Sequence, residues 1–260
     1  MSAFKTKKSL GQHFLNSPHT LTTMVEAGEV TAKDTVIEIG PGEGVLTKEI
    51  LKTGAHVIVI ETDDRLIPIL EETFTKEVKE KQLTIIHKDV RGIDYKAITK
   101  KPYKVIANIP YYITGEIIQN LLSSSHKPNS ITILIQKEVA ERITTRKESK
   151  ESILSISIKA YGTPNYIKTV KKTAFYPPPK IDSAILHIGN ITEDNFKKSS
   201  ISEERFFKVM KQGFAHKRKR LQKNLEGLVA KEKFSECGFS ENVRAEELCV
   251  EDWLCLASTT

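Results

Sequence analysis

Thr35-Val36-Ile37-Glu38-Ile39-Gly40-Pro41-Gly42-Glu43-Gly44-Val45-Leu46-Thr47 is the stretch on which the reading of the fold turns. A β-branched run enters three alternating glycines, and a helical pattern then continues from Val45 to about Leu51. The run has the composition of a buried parallel strand, and the glycines that of a tight turn opening a helix. Glycine has no Cβ and tolerates positive φ, so a ligand can approach the backbone there. The first helical turn adds unpaired N–H groups aimed at the same place. The stretch predicts a cofactor-binding turn at the carboxyl end of a strand, with the cofactor still open.

On both sides of this turn, strand-like and helix-like patterns alternate. Residues 19–30 carry Leu21, Met24, Val25 and Ala27 at helical spacing behind a Ser17-Pro18 entry signal. Strand-like runs follow at Thr35–Ile39, His56–Ile60, Leu83–His87, Lys104–Ala107 and Ile131–Ile135. Helical patterns occupy Asp64–Lys79, Thr114–Ser123 and Lys137–Ile143. Such alternation predicts an α/β fold, a Rossmann-like, doubly wound parallel sheet with helices on both faces. Ser152–Ala160 is apolar-patterned, and Tyr166–Val170 and Ala184–Ile188 read as two late strands. Between these strands, Phe175-Tyr176-Pro177-Pro178-Pro179 must be a rigid extended loop, because proline cannot donate to a ladder. Gly189–Ser202 is polar and reads as a linker, and Glu203–Thr260 as short helices. The expected division is a catalytic domain over 1–190 and a small all-α domain over 203–260.

In a doubly wound sheet, ligands gather beyond the carboxyl ends of the strands. Glu61 ends the second strand, where a carboxylate can accept both hydroxyls of a ribose. NAD and S-adenosylmethionine (SAM) both carry an adenosine ribose. The turn is G-x-G-x-G, with Val45 where the third glycine of a dinucleotide pattern would fall, and this spacing leans toward SAM. Asp89, after the third strand, reads either as an acceptor for the adenine amino group or as a turn cap. The fourth strand ends in Asn108-Ile109-Pro110-Tyr111. Its Asn108 side-chain oxygen and the Ile109 carbonyl, fixed ahead of Pro110, can each accept one N–H of an exocyclic amine. Tyr111 can stack on the ring that carries the amine. The structural alternative is a Pro-Tyr turn with Asn108 capping the next helix.

Bulk properties narrow the class further. The 260 residues are 39% apolar, with no run long enough to span a bilayer. The N-terminus is lysine-rich without a following apolar segment, so no secretory signal is expected. The three cysteines, Cys237, Cys249 and Cys255, include no C-x-x-C pair. They read as buried or inert thiols in a reducing compartment, and no metal site is expected. The formal charge is +7, with clusters at Lys5-Thr6-Lys7-Lys8 and Lys217-Arg218-Lys219-Arg220. A charge run is usually a solvated face, but two flanking a cofactor domain favour nucleic acid. A nuclear localisation signal is the lesser alternative for the second run.

The assembled motifs resemble the small-subunit (16S-type) ribosomal RNA adenine-N6,N6-dimethyltransferase family. The resemblance rests on Lys8-Ser9-Leu10-Gly11-Gln12-His13-Phe14-Leu15, the glycine turn from Glu38 to Thr47, Asn108-Ile109-Pro110-Tyr111, and Gln136-Lys137-Glu138-Val139-Ala140-Glu141-Arg142. It continues through Phe175-Tyr176-Pro177-Pro178-Pro179-Lys180-Ile181-Asp182-Ser183, the span Phe214–Leu221, and Arg244-Ala245-Glu246-Glu247-Leu248. These motifs run in the family's order over nearly the whole chain. One stretch departs: Thr144–Ser152 lacks the family's usual Pro-Gly-Ser-Lys-x-Tyr-Gly segment.

The resemblance implies SAM-dependent dimethylation of two adjacent adenosines near the 3′ end of small-subunit rRNA. It assigns His13, Leu15, Gly40, Gly42, Glu61, Asp89 and Asn108 to the cofactor, with the Gln12–Leu15 segment closing over it. Asn108, Pro110 and Tyr111 become catalytic, and Phe175 helps to sandwich the target base. Lys217, Arg218, Lys219 and Arg220 become phosphate contacts on RNA. The implied setting is a cytoplasmic monomer acting on a pre-ribosomal particle, with no membrane partner. Large-subunit rRNA methyltransferases of the macrolide-resistance type share Asn-Ile-Pro-Tyr and rank second. A ribosome-assembly factor with secondary or lost catalysis is the rival of a different class. An NAD-dependent dehydrogenase has no use for Asn-Ile-Pro-Tyr.

Overall fold

The computed structural model describes residues 13–144, 150–216 and 218–258. The N-terminal basic cluster, Gln12, Lys217 and much of the atypical 144–152 loop lie outside the described residues. Two compact units emerge, one from Met1–Ala140 with Pro164–Ile191, the other from Glu141–Thr163 with Thr192–Thr260. Residues 141–163 thus group with the C-terminal unit, whereas the expected ranges put them in the first domain.

In the first unit the strands are β1 (Phe14–Leu15), β2 (Thr35–Ile39), β3 (His56–Glu61), β4 (Leu83–His87), β5 (Tyr103–Ala107), β6 (Ser130–Gln136), β7 (Thr163–Val170), β8 (Phe175–Tyr176) and β9 (Ser183–Gly189). The large sheet has the order β4-β3-β2-β5-β6-β9-β7. Its first five strands are parallel, and β2 and β3 are almost wholly buried, as fits β-branched runs covered on both faces. Each fully buried Val or Ile there contributes about 1.5–3 kcal/mol over its exposed state. The parallel expectation holds over those five strands; β9, one of the late strands whose direction the sequence left open, runs antiparallel to β6, with Gln136 opposite Ser183. No crossover helix separates β7 from β9; the proline-bearing loop brings the chain straight back. Within that loop β8 pairs antiparallel with β1, so Leu15 faces Phe175 and Phe14 faces Tyr176.

Helices connect the parallel strands where the periodicity places them, including Pro18–Ala27, Val45–Leu51 and Thr114–Ser123. The helix expected over Asp64–Lys79 is instead two, Ile67–Thr73 and Thr75–Lys79. Phe74 leaves helical geometry between them and is buried.

The second unit is helical among its described residues, including Ile153–Tyr161, Glu203–Gly213, Leu221–Asn224 and Val250–Ala257. Trp253 and Phe206 are fully buried there, and Phe214 stacks on Trp253 with ring centroids 5.5 Å apart. The polar stretch taken as a linker contains a short helix, Asp194–Ser199, anchored by buried Phe196 against Tyr161. The reading of three thiols is also corrected. Cys237 and Cys255 form a disulfide, and Cys249 stays free with its thiol pushed by burial up to about 12. Among the described residues, no helix is long and apolar enough to cross a membrane.

Candidate active site

Strand register assembles the site. Ile39 pairs with both Ile60 and Ala107, so Gly40, Glu61 and Asn108 follow at one level of the sheet. Glu61 in turn pairs with His87, which carries Lys88 and Asp89 to the same edge. A cavity opens over these strand ends. His13, Leu15, Gly40, Gly42, Glu61, Asp89, Asn108, Pro110 and Tyr111 all line it.

Glu61 is buried and clamped to the backbone around it. Its Oε1 accepts the Thr62 and Asp63 N–H groups, both at 2.8 Å, and its Oε2 accepts the Gly42 N–H at 3.3 Å. Burial raises its pKa, and these N–H bonds oppose the rise. Asp89 fulfils the capping reading while also lining the cavity. Its carboxylate accepts the Arg91 backbone N–H at 3.0 Å and pairs with the Arg91 guanidinium at 2.5 Å. Those bonds hold it below the usual carboxylate range.

Asn108 is not capping the next helix, which has no side-chain cap. Its Nδ2 donates to the His13 carbonyl at 3.4 Å, which keeps Oδ1 as an acceptor. His13 Nδ1 donates to the Pro177 carbonyl at 2.7 Å, and its ring stacks against Tyr111 with centroids 6.2 Å apart. The Tyr111 hydroxyl meets Ser183 Oγ at 2.5 Å. The segment over the cavity and the Asn-Ile-Pro-Tyr turn are therefore joined through side chains that sequence spacing alone could not pair.

Phe175 stands apart from this group. It is 4% exposed, packs in the core cluster that includes Leu15, and does not line the cavity. Alternation along the short β1–β8 ribbon puts Phe175 with Leu15 on the buried face. Tyr176, paired with cavity-lining Phe14, is 70% exposed. As placed, Phe175 does not offer its ring to the cavity as expected.

Glu38 lines the cavity and was absent from the expected site. It is 1% exposed, and Thr47 Oγ1 donates to its Oε2 at 2.6 Å. Burial pushes its pKa up to about 8, with the Thr47 bond opposing and the charge of Glu61 adding. Burial thus favours the protonated form of this acid. A carboxylate inside an otherwise apolar β-branched run was the signal that could have marked it.

The remaining expected residues lie in the second unit. Arg218, Lys219 and Arg220 are exposed in the turn between the helices Glu203–Gly213 and Leu221–Asn224. Buried Asn224 anchors that turn: its Nδ2 donates to the Gly213 carbonyl at 2.6 Å and to the His216 carbonyl at 3.1 Å. Asn224 was also missed.

The model of the family described as ribosomal RNA adenine dimethylase matches residues 3–260. The chain belongs to that family. It is 39% identical to ribosomal RNA small subunit methyltransferase A of a Dehalococcoides mccartyi strain, over 97% of this chain and 88% of the relative. It is also 39% identical to the protein of that name from Clostridium botulinum, over 96% of this chain and 92% of the relative. Among solved structures, the fold is shared with a dimethyladenosine transferase from Plasmodium falciparum at a TM-score of 0.76. That likeness covers 94% of this chain and 96% of the other, at 24% identity. The 23S rRNA methyltransferase ErmE shares it at a TM-score of 0.74, over 94% and 98%, also at 24% identity.

The enzyme is accordingly a SAM-dependent rRNA adenine dimethyltransferase, and the cavity fits an adenosine-bearing donor. A Cβ built on Gly40 would meet nothing within 4 Å, so the turn leaves open space at the cavity wall. Glu61 sits beside that space with a carboxylate oriented by three N–H groups.

Proposed function

We propose that the enzyme dimethylates N6 of two adjacent adenosines near the 3′ end of small-subunit rRNA, acting as a monomer on a pre-ribosomal particle in the cytoplasm. The single observation that carries the chemistry is Asn108, whose Nδ2 is engaged by the His13 carbonyl so that Oδ1 remains an acceptor at the strand-end cavity. The names of the relatives support the small subunit as substrate.

Gly40, Gly42 and Glu61 would hold SAM, which when bound would supply an electrophilic methyl group. The adenine N6 is a poor nucleophile because its lone pair is delocalised into the ring. Asn108 Oδ1 and the Ile109 carbonyl accept its two N–H groups, orient the amine and favour a more tetrahedral nitrogen. The amine's lone pair forms the N–C bond as the methyl C–S bond breaks, and the sulfur leaves as a neutral thioether with the bonding pair. Positive charge develops on nitrogen next to two acceptors, and the proton is then lost to solvent. No strong base is required before attack. For the second transfer, the monomethylated amine rotates and keeps one N–H for one acceptor. The target base leaves its stack at a cost of a few kcal/mol, offset in part by stacking on Tyr111.

The test incubates the protein with labelled SAM and under-methylated small and large subunits in parallel, with modified adenosines mapped by mass spectrometry. Dimethyladenosine at two adjacent positions near the 3′ end is expected, and Asn108→Ala should reduce turnover by several orders of magnitude. Label confined to large-subunit RNA, or an active Asn108→Ala variant, overturns this reading.

A further inference from the structure

Tyr111 is held by more than packing. Its hydroxyl lies 2.5 Å from Ser183 Oγ, and Ser183 is fully buried. Topology explains the encounter. β9 runs antiparallel to β6 with Ser183 opposite Gln136, so β9 begins at the edge where β5 and β6 end. A sixth parallel strand would begin at the opposite edge. The antiparallel return instead delivers its first side chain to the reactive end of the sheet.

The loop leading into β9 is itself fixed. Asp182 Oδ1 accepts the Lys172 N–H at 2.9 Å, its Oδ2 accepts from Lys171 Nζ at 3.1 Å, and its carbonyl accepts the Lys137 N–H at 3.1 Å. Earlier in the same loop, the Pro177 carbonyl receives His13 Nδ1, and the His13 ring stacks against Tyr111. Residues 171–183 thus reach Tyr111 twice, at its hydroxyl through Ser183 and at its ring face through His13. A ring held at both points has little freedom to tilt. Catalysis that depends on the attitude of a stacked base responds steeply to such freedom.

We propose that Ser183 is a positioning residue for methyl transfer: through the Tyr111 hydroxyl it fixes the plane on which the adenine is held beside Asn108. The inference rests on the proposed role of Tyr111 as the adenine platform. It gives the Asp182-Ser183 end of the proline-bearing motif two separable tasks, with Asp182 fastening the loop and Ser183 reaching the site.

The test compares wild type, Ser183→Ala, Tyr111→Phe, the double variant and Tyr111→Ala. For each, kcat and KM are measured on under-methylated small subunits, with SAM affinity by calorimetry and the melting temperature. Losing one hydrogen bond from the positioned ring should lower kcat about five- to tenfold in Ser183→Ala, with SAM affinity unchanged. Tyr111→Phe removes the same bond from the other side and should lose a similar factor. The double variant should be no slower than either single variant, because both remove one interaction. A wild-type kcat in Ser183→Ala, or losses that multiply in the double variant, overturns the inference. Should Ser183→Ala fail to fold, a wild-type kcat in Tyr111→Phe overturns it equally. A fully active Tyr111→Ala would instead overturn the platform reading, so the two failures are told apart.

Discussion

At the scale of single residues, the most informative group is a buried acid whose proton the fold holds more tightly than the unfolded chain does. Glu38 has an ordinary pKa of 4.5 in the unfolded chain and about 8 in the folded one. Between those values the native state holds a proton that the unfolded chain has released. Its contribution to stability is therefore full below pH 4.5, declines as pH rises, and levels off above about 8. Glu38→Gln keeps an acceptor for Thr47 and removes the titration. Denaturant melts from pH 5 to pH 8 should show the variant gaining stability relative to wild type as pH rises. A difference that stays constant across that range would show that Glu38 does not titrate there. Sequence pattern marked Glu38 only as part of a motif, because its raised pKa comes from the strands and helix that enclose it.

At the scale of the element, the glycine turn separates two physical demands that its sequence presents as one. Gly40 and Gly44 both have positive φ, +67° and +83°. A Cβ on Gly44 would lie 2.4 Å from the Phe74 ring, whereas one on Gly40 would meet open space. Each alanine replacement forces a left-handed backbone at about 1–2 kcal/mol. Gly44→Ala adds a core clash and should lower the melting temperature by several degrees more than Gly40→Ala. On the proposed placement of SAM, Gly40→Ala projects a methyl group into the space the cofactor would fill and should lose SAM affinity out of proportion to its stability loss. Melting curves and calorimetry on both variants check this. Equal ratios of stability loss to affinity loss would mean the turn acts as one structural unit. Phe74 also accounts for the split helix, whose apolar periodicity runs on through the break without announcing it.

At the scale of the whole molecule, each unit contributes through its own surface. The basic turn at 218–220 is exposed, and Asn224 ties its flanking carbonyls into the second unit's core. Neutralising Lys217, Arg218, Lys219 and Arg220 should weaken RNA binding and flatten its salt dependence, by about one unit of slope for each phosphate no longer neutralised, leaving SAM affinity unchanged. Filter binding over a salt series measures the slope. An unaltered slope would return the run to a solvated face. The units also show where linear reading stops, since residues 141–163 group with a partner segment that begins at Thr192.

Strand positions, the glycine turn at a strand end and the gathering of Gly40, Asn108 and Tyr111 at one edge of the sheet were readable from the chain, and its ordered motifs led to the family. Each depends on residues close in sequence: β-branched runs, glycine and proline chemistry, and the residue that ends a strand. Other features depend on what comes to lie alongside. The antiparallel sense of β9, the Ser183–Tyr111 bond, the burial of Phe175 and the Cys237–Cys255 pairing all join segments distant in the chain. Register and burial set them, because a side chain's partner, exposure and pKa belong to its surroundings, and those exist only once the chain has packed.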